Sequence, residues 1–183
     1  TPSSLDIPKL FEDNILAPVI PIDNPQTVEG IALGKKLFFD PILSIDNTLA
    51  CVDCHAPENA FTDSDKFSDG VDGIFGNRNS MPLFNLAWNY DEKFFWDGNT
   101  FSLEHQASVP VTDPFEMKSN WADVESKLQQ HAEYPSLFEK AFGASNIDSS
   151  LVTKAIAQFE RTLISANSKF DKFKKFKIKI LKL

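Results

Sequence analysis

Apolar positions recur at helical spacing in three stretches of the chain, and strand-like alternation is scarce. Val28, Ile31, Ala32 and Phe38/Phe39 share a face, with Lys35 at its edge, up to Asp40-Pro41. Upstream, Asn24-Pro25 reads as the start of that helix, with proline at the first helical position. Asn120 reads as the N-cap of a second helix, with Trp121, Val124 and Leu128 on one side. Asp148 caps a third, in which Leu151, Ala155, Ile156, Phe159 and Leu163 form an apolar stripe. A short helix is expected over residues 82–92. Residues 1–22 hold four prolines and no sustained period, which predicts an extended arm on the surface. Residues 41–50 read as a loop. Residues 56–80 mix glycine with aspartate and read as a long irregular loop; loops this long inside a compact domain tend to be functional. The pattern predicts a mainly α protein with long loops: an arm over 1–23, one domain over 24–168 and a basic tail over 169–183.

Composition adds bounds. A length of 183 residues allows one domain, or one and a half. Hydrophobic content of 42% supplies a core, and seventeen phenylalanines suit the lining of a large apolar cofactor. No apolar run approaches the ~20 residues needed to span a membrane, so no transmembrane segment is expected. There is no initiator methionine and no signal-peptide pattern, so Thr1 is expected to begin a processed or trimmed chain.

Charge divides the chain. The net charge of −8 combines a tail of seven lysines and one aspartate (169–183, +6) with a body of eleven basic and twenty-five acidic residues (1–168, −14). An acidic body argues against nucleic acid and suits a basic partner or simple solubility. The last twelve residues, Lys172 to Leu183, use only Lys, Phe, Ile and Leu, each of which can be encoded by A and T alone. Two readings stay open for them. One is a frameshift or truncation relic. The other is a basic amphipathic helix, with Phe170, Phe173, Phe176, Ile180 and Leu183 near one face, suited to a membrane surface or a second subunit.

The chemistry concentrates in Cys51-Val52-Asp53-Cys54-His55, which holds the only two cysteines and one of three histidines. Cys-x-x-Cys-His is the attachment signature of c-type haem. The thiols add across two porphyrin vinyl groups, and the adjacent histidine reaches the iron as proximal ligand. A zinc site would need a second ligand pair, a thioredoxin-like dithiol a βαβ context, and a disulfide would leave His55 unexplained. Haem attachment of this type takes place on the oxidising side of a bacterial inner membrane, so a periplasmic or exported location is expected.

Around this motif lies an ordered series: Leu33-Gly34-Lys35-Lys36-Leu37-Phe38-Phe39-Asp40-Pro41, Ala60-Phe61-Thr62-Asp63, Gly76-Asn77-Arg78-Asn79-Ser80, Phe94-Phe95-Trp96-Asp97-Gly98, Ser102-Leu103-Glu104-His105-Gln106, Asp113-Pro114-Phe115-Glu116-Met117 and Phe159-Glu160-Arg161-Thr162-Leu163-Ile164-Ser165. The series, from about residue 24 to 171, resembles the N-terminal, peroxidatic domain of the bacterial dihaem cytochrome c peroxidases, the family that includes the methylamine-utilisation dihaem enzyme. The resemblance implies a cytochrome c-like haem domain with one covalent haem c. His55 would be the proximal ligand, Gln106 and Glu116 would lie on the distal side, and Trp96 would stand between two haems. A carboxylate such as Glu116 can take a proton from one peroxide oxygen and return it to the other. Gln106 can hydrogen-bond the bound peroxide, and Trp96 offers an oxidisable ring.

Three departures from the family qualify the reading. Residues 56–104 contain no histidine, so the loop histidine that ligates the resting iron in many relatives has no counterpart. His105, His131, Met81 and Met117 are the other potential sixth ligands, and an open or water-bound iron is the expected state. A second Cys-x-x-Cys-His is missing. That implies an external electron donor such as a small redox protein, and a homodimer is one way to cover the face a second domain would bury. Calcium is doubtful, since Asn79 matches only one contribution to the family's interdomain site. Asn99 stands where many relatives have arginine, which alters contacts near the haem edge. Peroxidase-like reduction of hydrogen peroxide is the expected function. The alternatives are a monohaem electron carrier with Met or His as sixth ligand, and a low-activity haem or ligand-sensing domain.

Overall fold

A computed structural model describes residues 1–174. Among these residues the regular structure is helical, with isolated bridges and no strand. The helices are α1 (Lys9–Glu12), α2 (Val28–Phe39), α3 (Cys51–Cys54), α4 (Leu103–Thr112), α5 (Trp121–Gln130), α6 (Tyr134–Phe142) and α7 (Ser149–Glu160).

The long axis of the core is the crossing of α2 on α7, the largest interface between elements. Gly34 makes the close approach possible, because a Cβ there would meet the Ala155 carbonyl oxygen at 1.8 Å. Leu33 and Leu37 of α2 interlock with Val152, Ala155 and Ile156 of α7, all at most 2% exposed. α6 covers α2 through Tyr134 and Phe138, and α5 adds Val124 and Leu128 to the same cluster. Burial of each such side chain contributes about 1.5–3 kcal/mol. The Tyr134 hydroxyl donates to Asp40 Oδ2 at 2.7 Å, so the C-cap of α2 is tied to the start of α6.

Caps set the ends. Asn120 Oδ1 accepts from Asp123 N at 2.9 Å and Asp148 Oδ1 from Leu151 N at 2.9 Å, as the sequence predicts for α5 and α7. Leu163 lies beyond α7, which stops at Glu160.

Three expectations are corrected. The buried face of α2 is Gly30, Leu33, Gly34, Leu37 and Phe38; of the expected stripe only Phe38 is buried, and Val28, Ala32 and Phe39 are exposed. α2 begins at Val28, because Thr27 Oγ1 takes the Gly30 N–H at 3.0 Å. Asn24 is instead 1% exposed and committed to Glu104, Gln158 and the Lys154 carbonyl. The helix expected over 82–92 is one 3₁₀ turn, Leu86–Trp88, entered through left-handed Asn85 (φ 62°). The first 22 residues carry the short α1, and the Trp88 and Tyr90 side chains both donate to the Leu16 carbonyl. Residues 169–174 are helical; the rest of the tail, Phe176, Ile180 and Leu183 included, lies outside the described residues. No helix among the described residues is long and apolar enough to cross a membrane.

Candidate haem site

α3 is a single turn held open at its start by Asp53, whose Oδ2 accepts from Ala50 N at 2.7 Å. A turn three residues apart places Cys51 and Cys54 on one side of the helix. His55 then leaves helical geometry (φ −128°, ψ 59°). Its Nδ1 lies 3.1 Å from the Phe61 carbonyl oxygen. With the proton on Nδ1 donating to that oxygen, the Nε2 lone pair is free for a metal. Burial lowers the pKa of His55, which favours the neutral, ligating form. Left-handed Ala60 and Phe61 (φ 60° and 56°) bring the accepting carbonyl round to the ring.

Both cysteines are free. Burial, then the Glu160 carboxylate, pushes the Cys51 thiol far up, and burial pushes Cys54 to about 11. A reactive dithiol lowers its thiol pKa in an electropositive setting. Here the setting is apolar and acidic, which leaves two neutral thiols.

A cavity of about 710 Å³ opens beside this turn, and Cys51, Cys54, His55, Trp96, Gln106 and Glu116 all line it. That volume is in the range of cofactor pockets. Gln106 sits on α4 and is 7% exposed. Glu116 follows α4 in a turn closed by its N–H to the Asp113 carbonyl at 3.1 Å. Burial first, and the Asp113 charge second, push its carboxyl up to about 7. Trp96 is 62% exposed at the rim, its Nε1 donating to the Asn79 carbonyl at 2.9 Å. A second tie between the same loops is Arg78 to Asp97 at 3.0 Å.

Of the other candidates, Asn79, Met81, His105 and Met117 also line the cavity, and His131 does not. Asn79 staples the 56–80 loop by donating to the Asp63 and Asp65 carbonyls. Met117 is 3% exposed and belongs to the main core. His105 lines the cavity from the exposed side of α4, and His131 packs on Tyr134 at 5.0 Å.

Two residues with no predicted role also line the cavity: Thr100 and Glu160, 3% and 4% exposed. Each has a buried oxygen without a hydrogen-bond partner, Thr100 Oγ1 and Glu160 Oε2. Glu160 interrupts the apolar stripe of α7, and a carboxylate in such a stripe is the signal that could have marked it.

The residues fit a covalently attached haem. Two neutral thiols one turn apart, a neutral imidazole with a free nitrogen and an apolar cavity beside them are the donor set such a group needs. Groups of three or more side chains suited to a bare metal ion are absent among the described residues.

The di-haem cytochrome c peroxidase family matches residues 28–178. The chain is 37% identical over 153 residues to the methylamine utilization protein MauG of Methylophilus methylotrophus, covering 84% of this chain and 45% of that protein. It is 37% identical over 163 residues to the cytochrome c peroxidase Ccp of Escherichia coli, covering 85% and 34%. Among solved structures, a MauG-like protein associated with microbial copper homeostasis superposes with a TM-score of 0.83 at 31% identity, covering 96% of this chain and 51% of that one. The chain thus spans about half the length, or less, of these relatives.

Proposed function

Because the chain belongs to the di-haem cytochrome c peroxidase family, we propose that its cavity carries one haem c and reduces hydrogen peroxide with electrons from a donor outside these 183 residues. The observation that carries this is the single cavity in which the cysteine pair and the neutral His55 meet Gln106 and a carboxyl, Glu116, poised near neutrality. When bound, the haem would supply redox chemistry at its iron.

Cys51 and Cys54 would anchor the porphyrin by thioether bonds. His55 would hold the iron through Nε2, with the Phe61 carbonyl fixing the ring. Glu116, as carboxylate, takes the proton from one peroxide oxygen and gives it to the other as the O–O bond breaks. The overall reaction consumes two electrons and two further protons and yields two waters. The Gln106 amide donates to the peroxide and orients it. Trp96 at the exposed rim is placed to pass electrons from a small redox protein or other external reductant. An electron carrier would instead need Met81, Met117 or His105 on the iron. The packing of Met117 in the core, the exposure of His105 and the position of the Met81 backbone against the His55 ring favour an open face. An exported, periplasmic setting goes with covalent haem attachment and belongs to the same proposal.

The test is an optical spectrum of the ferric protein followed by stopped-flow mixing with peroxide. A high-spin charge-transfer band is expected. Glu116→Gln should keep that spectrum and slow the peroxide reaction by about 10²-fold or more. A methionine–iron band would remove the peroxidase reading, and equal rates would remove Glu116 from its role.

A further inference from the structure

Buried polar side chains are nearly always hydrogen-bonded, so two orphaned oxygens in one cavity wall are informative. Glu160 Oε2 and Thr100 Oγ1 are both buried, both unpartnered and both in the cavity wall, and Glu160 acts on Cys51. Glu160 is the last residue of α7, and Thr100 lies two residues before the N-cap of α4, Ser102. The two segments are pinned together by Arg161, which donates from Nη1 to Glu104 Oε1 at 2.7 Å and from Nη2 to Oε2 at 3.1 Å. The one guanidinium next to Glu160 is therefore committed to Glu104.

We infer that Glu160, with Thr100 in the same cavity wall, is a second acid site of the cavity, separate from Glu116 and Gln106, which takes up a proton when the haem bound there is reduced and releases it on oxidation. The step balances simply. One electron from the external reductant enters the haem, one proton from solution adds to the Glu160 carboxylate, and no bond to the haem forms or breaks. The coupling is electrostatic: an added electron makes a nearby buried anion less favourable, so the carboxylate binds a proton.

The surroundings support this. Burial pushes the Glu160 carboxyl up to about 8, against a lowering by Arg161 and with a further rise from Glu104. From α3 the Cys51 thiol faces it, and from the segment after α4 Glu116 shares the cavity. From α2, packed on α7, Lys35 is exposed, Lys36 pairs with Glu133 and Glu29 with the chain's amino group. A nearly neutral carboxyl in an apolar wall is a proton store within reach of physiological pH.

This rests on the proposal that the cavity holds haem, which a haem stain of the denatured chain tests separately; a chain without covalent haem fails that proposal, not this one. On the haem-loaded protein, the midpoint potential is measured by spectroelectrochemistry from pH 6 to 9. The wild type should show a potential that falls with rising pH across the Glu160 ionisation. Glu160→Gln should lose the part of that fall centred near 8 and keep its optical spectrum, while Glu116→Gln keeps that part. The same slope in Glu160→Gln as in wild type would overturn the inference. If Glu160→Gln fails to fold, the infrared difference spectrum between reduced and oxidised Glu116→Gln protein decides. A protonated-carboxyl band that appears on reduction, and shifts in Thr100→Val, is expected; no such band would overturn the inference.

Discussion

Glu116 is useful because its surroundings resist its charge. Burial and the Asp113 carboxylate hold it near 7, against an ordinary value of 4.5. A base must be ionised to take the proton from peroxide, so its working form is present above that value and lost below it. The proposed reaction should therefore speed up as pH rises through about 7, and Glu116→Gln should flatten that rise; stopped-flow rates across pH 5–9 check both. At this scale the proposed haem ligands are legible from spacing alone, since Cys-x-x-Cys-His is short and local. Gln106 and Glu116 are not, because nothing local distinguishes them from solvated polar residues. Only the order of motifs along the chain pointed to them. Glu160 lies within one such motif, but what marks it, burial and a missing partner, is a property of the packed cavity.

Helices formed where caps and stripes agreed, and failed to be read where one was missing. α5 and α7 have both an Asx cap and an apolar face, and both start where the sequence predicts. α4 went unread because its apolar face is weak and Pro110 lies inside it, although Ser102 caps it through His105 N at 3.0 Å. α6 carried signals that went unused, with Pro135 in its first turn and left-handed Gly143 (φ 68°) at its end. Asn24 misled because a buried hydrogen-bond hub and an N-cap use the same residue type. The most sensitive point between elements is Gly34, where α2 and α7 touch through backbone. Its φ is ordinary, so contact alone sets the cost of adding a Cβ 1.8 Å from the Ala155 oxygen. Gly34→Ala should force the helices apart and cost about 1–3 kcal/mol, read as a lower denaturant midpoint. A midpoint equal to wild type would mean that the crossing can relax at no cost.

At the scale of the whole molecule, the fold is a shell of helices and loops around a space that it does not fill itself. Leu43, Leu83, Val111 and Ile156 are core residues, at most 4% exposed, and also face the cavity of about 710 Å³. Protein interiors are otherwise close-packed, so these walls have partner atoms on one side only. Composition hinted at such a space through its seventeen phenylalanines, but the hint could not place it, because the wall is drawn from α3, α4, α7 and two long loops at once. A covalent group in that space would complete the core as well as the chemistry, and its stabilisation could not be lost by dilution as a reversibly bound ligand's is. Replacing both Cys51 and Cys54 by serine should therefore do more than release the haem. Without it the helices keep their own caps and pairings, while the apolar walls around the cavity are left to solvent. The expected product keeps its far-ultraviolet helical signal, binds a hydrophobic dye and melts without a sharp transition. Calorimetry and dye fluorescence on the two forms check this. A double variant that still melts sharply, at the wild-type temperature, would mean that the shell is stable empty and that the haem serves the chemistry alone.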